Sequence, residues 1–178
     1  MTPQEYKDKL IGFNSKESYR IEMDVLKQLL APREGQTVID YGCGIGTMVE
    51  DLRGDGVDVL GFDVTDYTEG KDWFIQELPD TFNAIYFMHS LAHIPNLEEV
   101  LKEIRGKLTG SMVIITPNLE WMEQIDNPDY VPDPTVHKHY DIYNLEFLLN
   151  SCGFDVVIKG QFGDRIDKSH ERIFIVAE

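Results

Sequence analysis

Apolar positions along the chain repeat with two periods. Ile21, Val25, Leu26, Leu29 and Leu30 recur at helical spacing, and Pro32 stops the run. Short stretches rich in β-branched and aromatic residues then read as strands: Gln36 to Tyr41, Val57 to Phe62, a minimal Trp73 to Ile75, Phe82 to Met88, and Met112 to Thr116. Helical segments lie between them. One starts at Thr47, runs through Leu52 and ends at Gly54 and Gly56. The next carries Leu97, Val100, Leu101, Ile104 and Leu108 on one stripe, with Asn96 as its cap and Glu99 at the capping-box position. Leu145, Leu148, Leu149 and Cys152 mark a further helix, closed by Gly153. Phe154 to Ile158 and Arg172 to Ala177 read as final strands, and Thr2 to Asn14 as a short helix or arm. The run Phe82 to Met88 is nearly all apolar, as a strand buried on both faces must be. This order predicts a doubly wound, Rossmann-like α/β fold with helices on both faces of a mostly parallel sheet.

Composition narrows the partners. The 178 residues suit one domain, 1–178, with residues 1–35 as an N-terminal helical cap. A formal net charge of −16 opposes binding to phosphate backbones, so neither nucleic acid nor an anionic membrane surface is expected. Cys43 and Cys152 have no metal-ligand spacing, which points to a reducing, cytoplasmic setting. The polar N-terminus lacks an apolar signal core, and no apolar window is long enough to span a bilayer.

The stretch Val38-Ile39-Asp40-Tyr41-Gly42-Cys43-Gly44-Ile45-Gly46-Thr47 carries the chemistry. A strand that ends in three alternating glycines must turn sharply into a helix, whose free N–H groups favour an anionic group of a ligand. The dinucleotide fingerprint G-x-G-x-x-G needs a glycine where Thr47 stands, and Asp40 would repel a pyrophosphate. A ligand with an ammonium, a carboxylate and a sulfonium would profit from Asp40, and S-adenosylmethionine is such a ligand. Asp63, 23 positions after Asp40 at the tip of the second strand, can accept hydrogen bonds from both ribose hydroxyls. Arg20 is either a partner for the ligand carboxylate or a solvated cation, while Tyr6, Phe13 and Tyr19 either pack or roof the ligand.

On these residues the chain resembles the class I S-adenosylmethionine-dependent methyltransferases, in their small-molecule, ubiquinone-pathway-like branch. VIDYGCGIGT is similar to the first motif of that family, GFDV to its second-strand acidic motif, and FNAIYFMHSLAHIPN to its strand leading into leucine–glutamate–histidine. LTGSMVIITPN and HKHYDIYNLEFLLNSCGF resemble its fifth strand and its C-terminal helix. Asn83 and Ala92 depart from the usual aspartate and glutamate, and the segment between strands two and four is shortened. The resemblance implies a seven-stranded sheet with its last strand antiparallel. It implies that Asp40, Gly42, Cys43, Gly44 and Gly46 hold the methionine part, Asp63 the ribose, Val64 the adenine face, and Gln76 or Glu77 the adenine amino group. Met88 and His89 would flank the sulfonium where substrate enters, and the released product would be S-adenosylhomocysteine.

Residues 119–141 form a long irregular stretch after the fifth strand, where open α/β sheets bind substrate. His137 and His139 are candidate general bases or loop-ordering residues, and Trp121, Tyr130 and Tyr140 either wall an apolar or aromatic acceptor or pack in the core or a lid. With Asp141 the two histidines have alternate spacing but no apparent fourth ligand, so no metal is expected. The reading is a methyltransferase acting on O or N of a small metabolite. The alternatives are a S-adenosylmethionine-binding partner or sensor module without turnover, and a nicotinamide-dependent oxidoreductase.

Overall fold

A computed structural model describes residues 2–15, 17–118, 135–163 and 171–178. Two helices, α1 (Pro3–Asn14) and α2 (Glu17–Leu30), precede the sheet. The strands are β1 (Thr37–Tyr41), β2 (Asp58–Phe62), β3 (Phe74–Ile75), β4 (Phe82–Met88), β5 (Leu108–Pro117), β6 (Val156–Phe162) and β7 (Arg172–Ala177). Helix α3 (Thr47–Gly54) follows β1, α4 (Leu97–Lys107) follows β4, and α5 (Ile142–Ser151) precedes β6. The sheet has seven strands in the order β3-β2-β1-β4-β5-β7-β6. All neighbours are parallel except β7, which is antiparallel to β5 and to β6. The chain order reverses between β1 and β4, and ligands of open α/β sheets bind at that switch point, beyond the carboxyl ends.

Strand alternation divides the core into two layers. Val38, Ala84, Tyr86, Val113 and Ile115 pack with Tyr19, Met23 and Leu26 of α2 and Met48, Val49 and Leu52 of α3. Their sequence neighbours Ile39, Ile85, Phe87, Met112 and Ile114 pack on the other face with Leu97, Leu101 and Ile104 of α4 and Leu145 and Leu149 of α5. The central strands are therefore continuous in apolarity because both faces are covered. None of the described helices is long and apolar enough to cross a membrane.

Element boundaries differ from the sequence pattern where neighbours, rather than local preference, set them. β5 starts at Leu108, not Met112, because its early residues pair with β4 from Phe82 onward. β6 starts at Val156 and runs to Phe162, while Phe154 lies before it as a buried core residue. Helix α4 lacks the expected capping box: the Asn96 side chain makes no cap hydrogen bond, and its amide donates to Glu99 Oε2 at 2.9 Å instead. A capping box does form on α1, where the Glu5 N–H donates to Thr2 Oγ1 and the Thr2 N–H donates to Glu5 Oε2 at 2.6 Å. A short 3₁₀ turn, Leu91–His93, joins β4 to α4.

Leu101 is fully buried between α4 and the sheet. Leu101→Ala is expected to lower the unfolding free energy by about 2–5 kcal/mol, read from urea unfolding, because the removed methyls leave a cavity in a packed layer.

Candidate active site

The turn out of β1 is held by backbone before any ligand is considered. The Gly42 and Cys43 N–H groups both donate to the Phe62 carbonyl at the end of β2, at 2.7 and 3.0 Å. The Gly46 N–H returns to the Cys43 carbonyl at 2.8 Å, and α3 starts there. Gly42 and Gly46 have φ of 82° and 78°, in the left-handed region. A Cβ on Gly42 would sit 2.3 Å from Ser90 Cβ, and one on Gly46 would sit 2.0 Å from the Trp73 ring. Two of the three glycines thus admit protein neighbours, the residues leaving β4 and entering β3. At Gly44 a Cβ would lie 3.0 Å from a Leu10 methyl, so α1 roofs the loop. Helix α1 spans the site edge to edge. Lys7 pairs with Glu69 at 2.5 Å, Tyr6 stacks near Tyr67, Asn14 donates to Thr47 Oγ1 at 2.7 Å, and Phe13 meets the His89 ring.

Asp63 follows β2 and faces the glycine turn. One carboxylate oxygen accepts the Gly44 N–H at 2.9 Å, and the other accepts the Thr65 N–H at 3.3 Å. Beside it opens a cavity of about 350 Å³ lined by Phe62, Asp63, Val64, Asp66, Phe74 and Gln76. Val64 is 92% exposed, an apolar side chain held in the open at the mouth of that cavity. Apolar walls with a few convergent polar groups suit a flat heteroaromatic ring and its sugar. Gln76 lines the cavity; Glu77 is exposed and is not among its lining residues.

Asp40 is buried on β1, between Gly61 and Tyr86 of the neighbouring strands. Burial pushes its carboxyl up to about 8, against the pull of the nearby Tyr86 hydroxyl, and the charge of Asp63 pushes it the same way. That hydroxyl is buried without a hydrogen-bond partner of ordinary geometry. Burial also raises Asp63, outweighing its backbone N–H donors, and raises the Cys43 thiol. The seat between the β1 and β2 tips therefore carries an unneutralised excess of acid in an apolar setting. A cationic ligand relieves that excess and a pyrophosphate aggravates it, so the residues present fit S-adenosylmethionine and disfavour a dinucleotide.

The remaining predicted residues separate. Met88 is buried at the end of β4, and His89 follows it with φ of 60°. Arg20 is exposed on α2. His137 is exposed, and its N–H donates to the Ala92 carbonyl at 2.8 Å. His139 is half-buried, its Nδ1 has no hydrogen-bond partner among the described residues, and burial lowers its pKa. Tyr140, a candidate substrate wall in the sequence, is instead a buried core residue whose backbone bridges Asn118. Asp141 spends its carboxylate on capping α5, accepting the Tyr143 and Asn144 N–H groups, and among the described residues no three His, Cys, Asp or Glu side chains cluster as metal ligands. Trp121 and Tyr130 lie outside the described residues. Sequence reasoning missed Glu22 and Arg172, both buried beside His89. The signal was present: Glu22 falls on the buried stripe Tyr19, Met23, Leu26, Leu30 of α2, where an acid has no reason to be unless it is paired.

Comparison with known proteins shows the family and the fold. The methyltransferase-domain family model matches residues 13–158. Sterol 4-C-methyltransferase strm-1 of Caenorhabditis elegans is 28% identical over 135 residues, 65% of this chain and 38% of that protein, so the chain spans well under half of that relative's length. Among solved structures, a S-adenosylmethionine-dependent methyltransferase from Archaeoglobus fulgidus superposes with a TM-score of 0.69 at 20% identity, over 89% of this chain and 93% of its own. The 1,6-didemethyltoxoflavin-N1-methyltransferase of Burkholderia thailandensis, solved with 1,6-didemethyltoxoflavin and S-adenosylhomocysteine, gives 0.70 at 16% identity over 99% and 90% of the two chains. The chain belongs to the methyltransferase-domain family and has the fold of the class I enzymes that use S-adenosylmethionine.

The raised Asp40 pKa has a testable sign. The folded protein holds a proton on Asp40 between the ordinary carboxylate range and about pH 8, where the unfolded chain has lost it. This group's contribution therefore falls as pH rises through that window. Asp40→Asn removes the dependence, so the stability of the variant relative to wild type should climb steadily in urea unfolding at pH 5, 6.5 and 8. Parallel curves would show that Asp40 is not held protonated.

Proposed function

We propose that the chain transfers a methyl group from S-adenosylmethionine to an oxygen or nitrogen of a small metabolite. The observation that carries this reading is the acid-rich seat at the tips of β1 and β2, opening on the cavity lined by Asp63, Val64 and Phe74. When bound, the cofactor supplies an electrophilic methyl on a positively charged sulfur. Asp63 would take the ribose, Val64 and Phe74 the adenine faces, and Gln76 the adenine edge. Asp40, Gly42, Cys43, Gly44 and Gly46 would surround the methionine part. Met88 and His89, at the exit of β4, would border the methyl and the entering acceptor. Helix α1 over Gly44 excludes water from that end of the seat, and alignment of the acceptor with the methyl can account for about 7–11 kcal/mol of barrier lowering. The named activity of the toxoflavin neighbour supports a nitrogen acceptor, whereas that of the nematode relative would place the methyl on a sterol carbon.

A binding module without turnover has less support. Asn83, one of the two departures, accepts the Thr37 N–H at 2.9 Å and donates to Thr109 Oγ1 at 3.2 Å, so it joins the strands at the end of the sheet away from the seat. Ala92, the other, is buried and accepts the His137 and Lys138 N–H groups through its carbonyl. The Asn83 side chain thus has a structural role away from the seat.

Calorimetry should find S-adenosylmethionine and S-adenosylhomocysteine bound by the wild-type protein and weakened at least tenfold by Asp63→Ala, since both ribose hydroxyls lose their acceptor. Affinity should also rise between pH 6 and 7.5, by up to about tenfold per unit, as less work is needed to ionise Asp40. Absence of binding for both ligands would end the proposal. Transfer of labelled methyl to any member of a panel of phenols, amines and hydroxylated metabolites would exclude the module without turnover.

A further inference from the structure

Three elements converge at the exit of β4 on a polar cluster that lies outside the cofactor seat. His89 stands there with φ of 60°, a conformation that is strained for a non-glycine residue and persists only where the surroundings impose it. Its N–H is tied to the Ile115 carbonyl at 2.9 Å, and the next residue, Ser90, abuts Gly42 and donates to the Tyr41 carbonyl. His89 Nε2 hydrogen-bonds Glu22 of α2, a carboxylate only 2% exposed. The other oxygen of Glu22 pairs with Arg172 Nε at 2.8 Å, and Arg172, at the start of β7, is itself buried. The Phe13 ring closes on the imidazole edge-on at 5.2 Å.

Burial alone would raise Glu22, but the His89 ring and then Arg172 outweigh it, so its carboxyl stays below the ordinary range and ionised. An ionised carboxylate on Nε2 requires that nitrogen to carry the hydrogen. The lone pair is then on Nδ1, since the ring hydrogen bond that His89 makes among the described residues is the one from Nε2. A buried acid that fixes the tautomer and orientation of a histidine is the arrangement used wherever imidazole must accept a proton. Arg172 pairs with the acid from its other side, and the strained backbone of His89 places it one residue before Ser90, the residue that abuts Gly42 at the glycine turn. Tyr19, also buried and close to Glu22 and Asp40, is held neutral by burial and by those two acids and adds no charge.

We propose that His89 is the general base of the methyl transfer, with Glu22 and Arg172 as its positioning residues. The inference rests on the reading of the seat as a methyltransferase site. The O–H or N–H of the acceptor gives its proton to His89 Nδ1 as the acceptor lone pair bonds the methyl carbon. The carbon–sulfur bond breaks, and its electron pair returns to sulfur. Glu22 balances the imidazolium until the proton passes to solvent. His137 is exposed, and for His139 no carboxylate partner occurs among the described residues, so neither has this support there.

The test begins without an acceptor. Long-range proton–nitrogen NMR of the wild-type protein with S-adenosylhomocysteine, assigned with His89→Gln, should show His89 at pH 8 as the Nε2–H tautomer. In Glu22→Gln, whose amide can donate as well as accept, that preference should weaken. An Nδ1–H tautomer, or one indifferent to Glu22→Gln, would overturn the proposal. With the acceptor found in the panel, His89→Gln should cut the single-turnover rate by about 10²–10⁴-fold while leaving S-adenosylmethionine affinity within about threefold. A rate within threefold of wild type, or a loss of cofactor binding in proportion to the loss of rate, would refute it. If wild type binds the cofactor but methylates nothing in the panel, the proposed transfer to O or N fails, and the tautomer measurement alone decides the fate of the dyad.

Discussion

The close approach of backbone to side chain at the turn out of β1 governs the rest of this molecule. Gly42 lies against Ser90 and Gly46 against the ring of Trp73, each at a distance that a methyl group would violate. Those contacts lock the ends of three strands together: β1 through the turn itself, β2 through the Phe62 carbonyl, and β4 through Ser90. The position of Asp63 follows, because its carboxylate is bonded to the Gly44 N–H. The position of His89 follows as well, because it precedes the serine that the turn admits. A loop read at first as a cradle for ligand is also the joint that brings the site residues into register.

The same region is where the fold gives up stability. Two carboxyls, Asp40 and Asp63, sit where burial opposes their ionisation, and the Tyr86 phenol beside Asp40 makes no hydrogen bond of ordinary geometry among the described residues. The Glu22 carboxylate is equally buried, yet it is paired on both oxygens. The contrast separates two roles. The ion-paired acid is complete within the chain, whereas Asp40 and Asp63 are acids whose ionisation burial opposes, and carboxyls with raised pKa values are a common mark of a binding site. Stability and binding are thus drawn from one source at the β1 and β2 tips.

Periodicity in the sequence was enough to find the described strands and helices except the short turn Leu91–His93 and α1, which the sequence left open between a short helix and an arm, because each layer of the core needs its own apolar stripe. Boundaries were less legible. The early residues of β5 are polar or small, and only pairing with β4 makes them strand. Asn96 has a favourable cap residue type, yet its side chain turns to Glu99. Among site residues, the glycine turn and Asp63 were readable because a strand tip, a sharp turn and an acid at fixed spacing are local facts. Tyr140 was left open between core and substrate wall because an aromatic residue in an irregular stretch gives no local sign of which way it faces; here it joins the core with Leu145 and Leu149 of α5. The Glu22–His89–Arg172 cluster joins residues from opposite ends of the chain, and no local pattern could pair them.

By itself the order of residues determined the strand and helix content, the sharp turn after β1 and the acid at the tip of β2, since these follow from backbone conformational preference and from spacing within a few residues. Only the tertiary structure decided which neighbours the glycines admit, which acids find a partner and which histidine is backed by a carboxylate. Those outcomes depend on distances between segments far apart in the chain, and on the burial that raises or lowers the cost of a charge once the segments have packed.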